Sequence, residues 1–340
     1  MNAEPRRDFP ALPPVETLAD PLCAARCVTL GVLRLDLLHP LWGGNKLFKL
    51  LPNLRRAEAL GLRRVLSFGG AHSNHLHALA AWGRAHGLET VGIVRGEAPV
   101  APGPTLAELH AWGMRIRHVP RVDYRRRHDP AWVAEIAREF MPALVVPEGG
   151  DNAEGFAGCR ELGRAIAALP GRWDVLALAC GTGTTLAGLV AGSGAFVLGI
   201  AALRDGAGIA ARAGAHLARE QCAGPEPPRQ PGVGPDSSGR GVALAAPGGP
   251  RYRVLERFAG RGFARVDARF DAFMRDFSHR HGVPLDPVYT GKLFLGLHTL
   301  VGEGRFPPGT RVLAVHTGGL QGARGAPRGR TVPATHRVPL

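Results

Sequence analysis

Short apolar runs ending in Gly, Pro or Ser alternate along this chain with helical patterns, and that rhythm constrains the fold more than any other feature. The runs Arg64–Ser67, Thr90–Val94, Arg115–His118, Ala143–Val146, Asp174–Cys180, Phe196–Ala201 and Arg311–His316 read as strands. Strands alternating with helices over 340 residues predict an α/β protein with parallel sheets, two of them, in two lobes. Ligands in such sheets sit beyond the carboxyl ends of the strands, so the loops there are where chemistry is expected. Ala223–Pro250 breaks the rhythm with seven Gly and seven Pro among 28 residues and no aromatic. It reads as an extended surface loop, and Gly322–Leu340 as a tail of similar character.

Composition narrows the function. The apolar fraction of 45% is that of a soluble globular protein. No stretch approaches the roughly 18 continuous apolar residues of a membrane span, and Met1–Pro10 is polar, so a cytoplasmic enzyme without a membrane partner is expected. Cys23, Cys27, Cys159, Cys180 and Cys222 are scattered and odd in number, which predicts free thiols in a reducing compartment. His72, His75 and His77 lack the spacing and intervening Glu of a zinc-protease helix, so no metal is expected. The formal charge of +14 admits nucleic-acid binding. Yet only Arg125-Arg126-Arg127 forms a run, and no specific nucleic-acid partner is expected.

Only three of the 42 basic residues are lysine: Lys46, Lys49 and Lys292. Arginine supplies surface charge but no titratable amine, whereas a desolvated lysine can attack a carbonyl. Lys46 follows Gly43-Gly44-Asn45 at the start of a helical pattern, and Lys292 closes Tyr289-Thr290-Gly291-Lys292.

Three strand-end loops carry the remaining candidates. Gly69-Gly70-Ala71-His72-Ser73-Asn74-His75 precedes an apolar stripe at helical spacing, and its Ser73 or Asn74 suits a helix cap. The loop amides suit a carboxylate, although a plain capped helix has the same pattern. Gly181-Thr182-Gly183-Thr184-Thr185 follows a strand and opens a helix, which makes a phosphate cradle. It lacks the Gly-Lys-Ser/Thr of a nucleoside triphosphate loop, and Leu186 stands where a dinucleotide fingerprint has Gly. A single terminal phosphate fits best, with Asp205 keeping a nicotinamide dinucleotide as the alternative. The third loop, Leu285–Lys292, carries Tyr289, a phenol that serves as acid or base if its pKa is lowered. The last strand ends in His316-Thr317-Gly318-Gly319.

In this order the motifs resemble the 1-aminocyclopropane-1-carboxylate deaminase/D-cysteine desulfhydrase family, pyridoxal-phosphate enzymes with the tryptophan-synthase β-subunit fold, over residues 10–320. The resemblance implies a two-lobed fold, with residues 1–51 and 166–320 in a larger cofactor lobe and 52–165 in a smaller one. It implies Lys46 at the Schiff-base position, acting also as the base at the substrate's Cα. Asn74 would bond the cofactor's phenolic oxygen; Ser73, Asn74 and His75 would hold the substrate carboxylate; Gly181, Thr182, Gly183, Thr184 and Thr185 would bind the phosphate; Tyr289 would stand over the ring beside the substrate. Lys49 would only add positive charge, and a homodimer is implied.

The deaminase branch of that family carries Glu after the active-site Tyr, which keeps the pyridine nitrogen protonated and makes a strong electron sink. Here the position is Thr290, and a hydroxyl from Thr290 or Thr317 would leave the nitrogen neutral. A weaker sink suffices for thiolate elimination. The expected reaction is therefore D-cysteine desulfhydrase-like, giving pyruvate, ammonia and sulfide. The alternative is the cyclopropane deaminase, giving 2-oxobutanoate and ammonia. A second substrate-facing tyrosine found in some members is replaced here by Phe263.

Overall fold

The computed structural model describes residues 8–221, 251–260 and 267–320. The Ala223–Pro250 loop, Phe263, Cys222 and the Gly322–Leu340 tail lie outside the described residues. The chain opens with β1 (Val15–Thr17), a short helix α1 (Pro21–Ala25) and β2 (Thr29–Arg34). Helix α2 (Asn45–Ala59) leads into β3 (Arg64–Gly70), α3 (Asn74–His86), β4 (Glu89–Arg95), α4 (Pro104–Ala111), β5 (Arg115–Val119), α5 (Pro130–Ala137) and β6 (Leu144–Val146). There follow α6 (Ala153–Ala167), β7 (Val175–Cys180), α7 (Thr184–Ser193), β8 (Phe196–Ala201), α8 (Gly206–Gln221), β9 (Tyr252–Leu255), α9 (Ala268–His281), α10 (Thr290–Gly302) and β10 (Arg311–His316).

Two sheets result. The smaller has the order β5-β4-β3-β6 and is parallel throughout. The larger has the order β1-β2-β10-β7-β8-β9, parallel except for β1 at its edge. Strands β7 and β8 are buried at every position, which is why they read as continuous apolar runs without alternation. Each of the seven expected strands is present. The other three, β1, β2 and β9, carried weaker signals. Strands β1 and β9 are three and four residues long. Strand β2 contains Gly31, which punctuates a sequence like a turn; a Cβ there would stand 2.4 Å from the Trp173 ring, so the glycine admits close packing instead.

Helices α2, α6 and α7 tie the two sheets together. A Cβ on Gly158 of α6 would lie 1.8 Å from the Phe48 carbonyl of α2, and one on Gly188 of α7 would lie 2.3 Å from the Cys159 Cβ of α6. The three backbones therefore touch, closer than side chains would permit. The start of α2, which carries Lys46, is thereby held against the start of α7. Among the described residues no helix is long and apolar enough to cross a membrane.

Candidate active site

A cavity of about 560 Å³ opens where the carboxyl ends of the two sheets face each other. Lys46, Ser73, Asn74, His75, Gly181, Thr182, Gly183, Thr185, Tyr289 and Thr317 all line it. Residues drawn from five separated segments thus meet in a volume suited to a small cofactor and substrate.

Glycines let the segments meet. Gly44, the residue before α2, has φ +91°, and a Cβ there would stand 2.2 Å from the Thr317 carbonyl. The amide of Asn45 donates to that carbonyl at 3.1 Å. A Cβ on Gly319 would lie 2.3 Å from the Asn74 amide nitrogen. The loop after β10 is therefore wedged between the starts of α2 and α3. His316, fully buried, fixes it through Asp36 at 2.9 Å and the Pro284 carbonyl at 2.8 Å.

The two lysines of α2 share a face, one turn apart. Burial, and then the charge of Lys49, lower the Lys46 amine to about 7, against a small opposing effect of Cys159. A substantial neutral fraction near pH 7 makes it a nucleophile for an aldehyde. Lys49 is 2% exposed and is likewise lowered by burial. It donates to the Gly149 carbonyl at 3.0 Å and to Thr182 Oγ1 at 3.2 Å. From there the hydrogens run one way. Thr184 gives its hydroxyl hydrogen to Asp151 at 2.6 Å, so Thr182, at 2.8 Å, donates to Thr184. His216 meets the same Asp151 oxygen at 2.7 Å. Burial pushes the Asp151 carboxyl up, but His216, Lys49 and Thr184 together hold it below the usual range. Asp151 and His216 carried no motif in the sequence. Lys49 did, through the scarcity of lysine, and its buried ammonium does more than add diffuse charge.

Helix α7 begins at Gly183, in the left-handed region at φ +96°, with no side-chain cap. Its first-turn amides are therefore left for a ligand. Asn45 Nδ2 donates to Thr185 Oγ1 at 2.8 Å, linking the residue beside Lys46 directly to this turn. Tyr289 leans against the same turn, 3.5 Å from where a Gly181 Cβ would be.

Four expectations change in detail. Thr184 is fully buried and does not line the cavity; its hydroxyl is spent on Asp151. Thr290 is also fully buried, donates to Asp286 Oδ2 at 2.7 Å and accepts from the Asp286 amide at 2.8 Å. Thr317 lines the cavity instead, and its hydroxyl has no hydrogen-bond partner among the described residues. His75 is held as a hydrogen-bond acceptor. Ser67 gives its hydrogen to the Val146 carbonyl at 2.8 Å, so His75 Nε2 must donate to Ser67 at 2.9 Å, leaving Nδ1 a bare lone pair. Burial, Lys46 and Lys49 keep the ring neutral, and such a ring has no hydrogen for a carboxylate. The Tyr289 phenol is pushed up, not down, by burial, Asp286 and Glu148, against Arg95. It is a hydrogen-bond donor rather than a ready base. Asp205, the acid of the dinucleotide alternative, is paired with Arg212 at 2.8 Å.

Asn74 Oδ1 and His75 Nδ1 are buried with no partner among the described residues, and unpaired buried polar atoms beside a cavity mark a place for a ligand. These atoms, an uncapped helix start with a buried lysine, and a neutral-leaning amine fit a group with an aldehyde, polar ring substituents and one phosphate. Fold and site together define a two-lobed α/β enzyme that works through such a cofactor held between its lobes.

The comparisons give the family. Residues 21–318 match the model of the pyridoxal-phosphate dependent enzymes, and the chain belongs to that family. Pyridoxal phosphate is accordingly its cofactor. The chain is 27% identical over 286 residues to a putative 1-aminocyclopropane-1-carboxylate deaminase of Pyrococcus horikoshii, covering 82% of this chain and 81% of that one. It is 27% identical over 297 residues to a mitochondrial bifunctional D-cysteine desulfhydrase/1-aminocyclopropane-1-carboxylate deaminase of Arabidopsis thaliana, covering 82% and 69%. Among solved structures, one described as a homologue of the cyclopropane deaminase superposes with a TM-score of 0.71 at 24% identity, covering 91% of this chain and 90% of that chain. The two-lobed tryptophan-synthase β-like fold expected from the motif order is the fold found.

Proposed function

We propose that this chain removes the amino group of a small α-amino acid, with Lys46 as the cofactor's covalent anchor and as the base for the proton the substrate gives up. That proton is the Cα hydrogen of D-cysteine but a ring-methylene hydrogen of the cyclopropane amino acid, whose Cα has none. The observation that carries the proposal is Lys46 itself, an amine lowered to about 7 at the cavity wall, one residue from a side chain bonded to the α7 turn. Pyridoxal phosphate, when bound, supplies the electron sink for the charge left at Cα. The chain's own residues do the rest. The amides of Gly181–Thr185, with the Thr185 hydroxyl and the Lys49 ammonium, would hold the phosphate, while the Thr182 hydroxyl, its hydrogen given to Thr184, steadies Lys49. The Asn74 amide meets the phenolic oxygen. Ser73 and the loop amides hold the α-carboxylate, with His75 behind them fixing the loop through Ser67. Tyr289 would offer a phenolic hydrogen beside the substrate, and the Thr317 hydroxyl would partner the ring nitrogen.

The relatives' names support the cyclopropane substrate over D-cysteine, reversing the order expected from Thr290 alone. Of the two hydroxyls on which that order rested, Thr290 is buried on Asp286 and only Thr317 lines the cavity. We therefore place 2-oxobutanoate and ammonia from the cyclopropane amino acid first. The second reading, elimination from D-cysteine to pyruvate, ammonia and sulfide, is supported by Thr317, a cavity-lining neutral hydroxyl in place of an acid as the ring nitrogen's partner in this reading. Holoenzyme assays with both substrates decide between them. Borohydride reduction should fix the cofactor on Lys46, and Lys46→Ala should lower turnover about a thousandfold or more. Fixation on Lys292, or no keto acid from either substrate, would overturn the proposal.

A further inference from the structure

Five arginines or lysines of the cavity besides Lys46 face three acids, and the pairing is uneven. Arg127 is held by Glu148 at 2.5 Å, Arg212 by Asp205 at 2.8 Å and by the Thr182 carbonyl at 2.9 Å. Lys49, bonded to Gly149 and Thr182, serves the α7 turn, and Asp151 is spent on His216 and Thr184. Glu148 is shared further with the Tyr124 hydroxyl at 3.1 Å. Two guanidinium groups are left. Arg95 ends β4, and Arg121 follows β5 on the neighbouring strand of the smaller sheet. Both line the cavity, and neither has a hydrogen bond or ion pair among the described residues.

Their placement is defined. The Gly96 amide donates to the Val119 carbonyl at 2.7 Å, which locks together the strand ends from which the two side chains project. Arg95 Nη2 lies 3.6 Å from the position a Cβ on Gly70 would take, so its fork reaches over the loop that leads to Ser73. Arg121 Nε lies 3.7 Å from the equivalent point on Gly96. Arg95 also bears on Tyr289 from across the cavity, opposing the burial that raises its phenol. The unpaired charge therefore sits at the smaller-lobe end, apart from the α7 turn where Lys49 lies. Two planar forks on adjacent strands suit an oxyanion with two or three equivalent oxygens.

We propose that Arg95 and Arg121 form a second anion subsite, which extends the substrate range to small amino acids bearing an acidic group on the side chain, such as a carboxylate, sulfonate or phosphate. The inference rests on the amino-acid reading above, but not on which neutral substrate is turned over. Matched pairs test it: aspartate against asparagine, and O-phosphoserine against serine, each as both enantiomers. Binding to the holoenzyme is read as the change in the cofactor's absorption. The charged member of at least one pair binds about tenfold tighter or more at low salt, and the advantage shrinks as salt rises. Arg95→Gln with Arg121→Gln abolishes the advantage, leaves the neutral member's affinity unchanged and keeps the cofactor band, which shows the variant is folded. The Arg95→Lys, Arg121→Lys protein restores part of it. Equal affinities within every pair would refute the subsite. An equal loss for charged and neutral members in the Gln variant would also refute it, because the guanidinium groups would then be gripping the α-carboxylate. A cofactor band that no amino acid perturbs would overturn the parent reading, and the subsite with it.

Discussion

The turns that open α3 and α7 are built alike and finished differently. Each follows a buried strand of a parallel sheet, carries two glycines and starts a helix whose positive end faces the same cavity. At α3 the chain caps its own helix: Ser73 accepts from the Leu76 amide at 3.2 Å. At α7 the cap is Gly183, which has no side chain to offer, and the threonines on either side turn towards Lys49, Asp151 and Asn45. A helix start that satisfies its own amides can be stable without a ligand. One that leaves them open, and buries a lysine beside them, is completed by an anion with several oxygens. The difference identifies the phosphate end of the site more sharply than either glycine pattern does.

The largest expected effect breaks this comparison by adding one methyl group. Gly183→Ala meets the Ile209 carbonyl at 2.7 Å and a strained φ of +96°, whereas Gly70→Ala meets nothing nearer than 3.6 Å. The first should cost about 1–3 kcal/mol of stability in urea and weaken the cofactor about tenfold to a hundredfold. The second should stay within about 0.5 kcal/mol. Equal losses would mean that the two turns are equivalent after all.

Next comes Lys49→Met. Loss of a buried charged donor should weaken the cofactor about tenfold to a hundredfold. It should also move Lys46, whose amine Lys49 lowers. Since the neutral amine is the reacting form, reconstitution of wild-type apoprotein should speed up as pH rises through about 7 and then level off. In the variant the rise should occur at higher pH; an unshifted profile would separate Lys49 from Lys46.

Asp151→Asn should have a smaller effect, of about 1–2 kcal/mol, because it loosens the support behind Thr182 but not the amides. The Asp151 carboxyl is held below its ordinary range, so its contribution is full above the unfolded carboxylate value and fades as pH falls below it. Acid unfolding of the variant should accordingly show a flatter pH dependence than that of the wild type. Ser73→Ala is the mildest. Removing the α3 cap should cost about 1 kcal/mol, leave cofactor affinity unchanged and raise KM. A matching loss of cofactor would place phosphate at the wrong turn.

Much of this was legible in the sequence because it is local. A strand, a glycine turn and a helix start lie within a dozen residues of one another, so Lys46, Ser73, Asn74 and the Gly181–Thr185 loop could be picked out directly. What was not legible is which side chains pair with which. Nothing near Thr290 says that Asp286 accepts four hydrogen bonds from Val288, Tyr289 and Thr290 and so takes the hydroxyl out of the cavity. Asp151 and His216 are 65 residues apart and belong to no motif. The tautomer of His75 depends on where Ser67 sends its hydrogen, which is set by β6 pairing with β3. Whether the Tyr289 phenol titrates more or less readily was open in the sequence, and burial decides the sign.

The position of β10 carries a consequence for how the molecule is made. The last strand of the described chain is not added at an edge: it slots between β2 and β7, in the middle of the larger sheet. Until it arrives, β2 and β7 have no partner on their facing sides, and the Thr317 carbonyl that seats Gly44 and Asn45 is absent. During synthesis the smaller sheet can close early, since its strands span only Arg64–Val146. The cofactor site has to wait for nearly the whole chain to leave the ribosome. Cofactor capture is thus a completion signal, and a chain truncated before Arg311 should keep the smaller lobe's helices and strands yet never turn yellow.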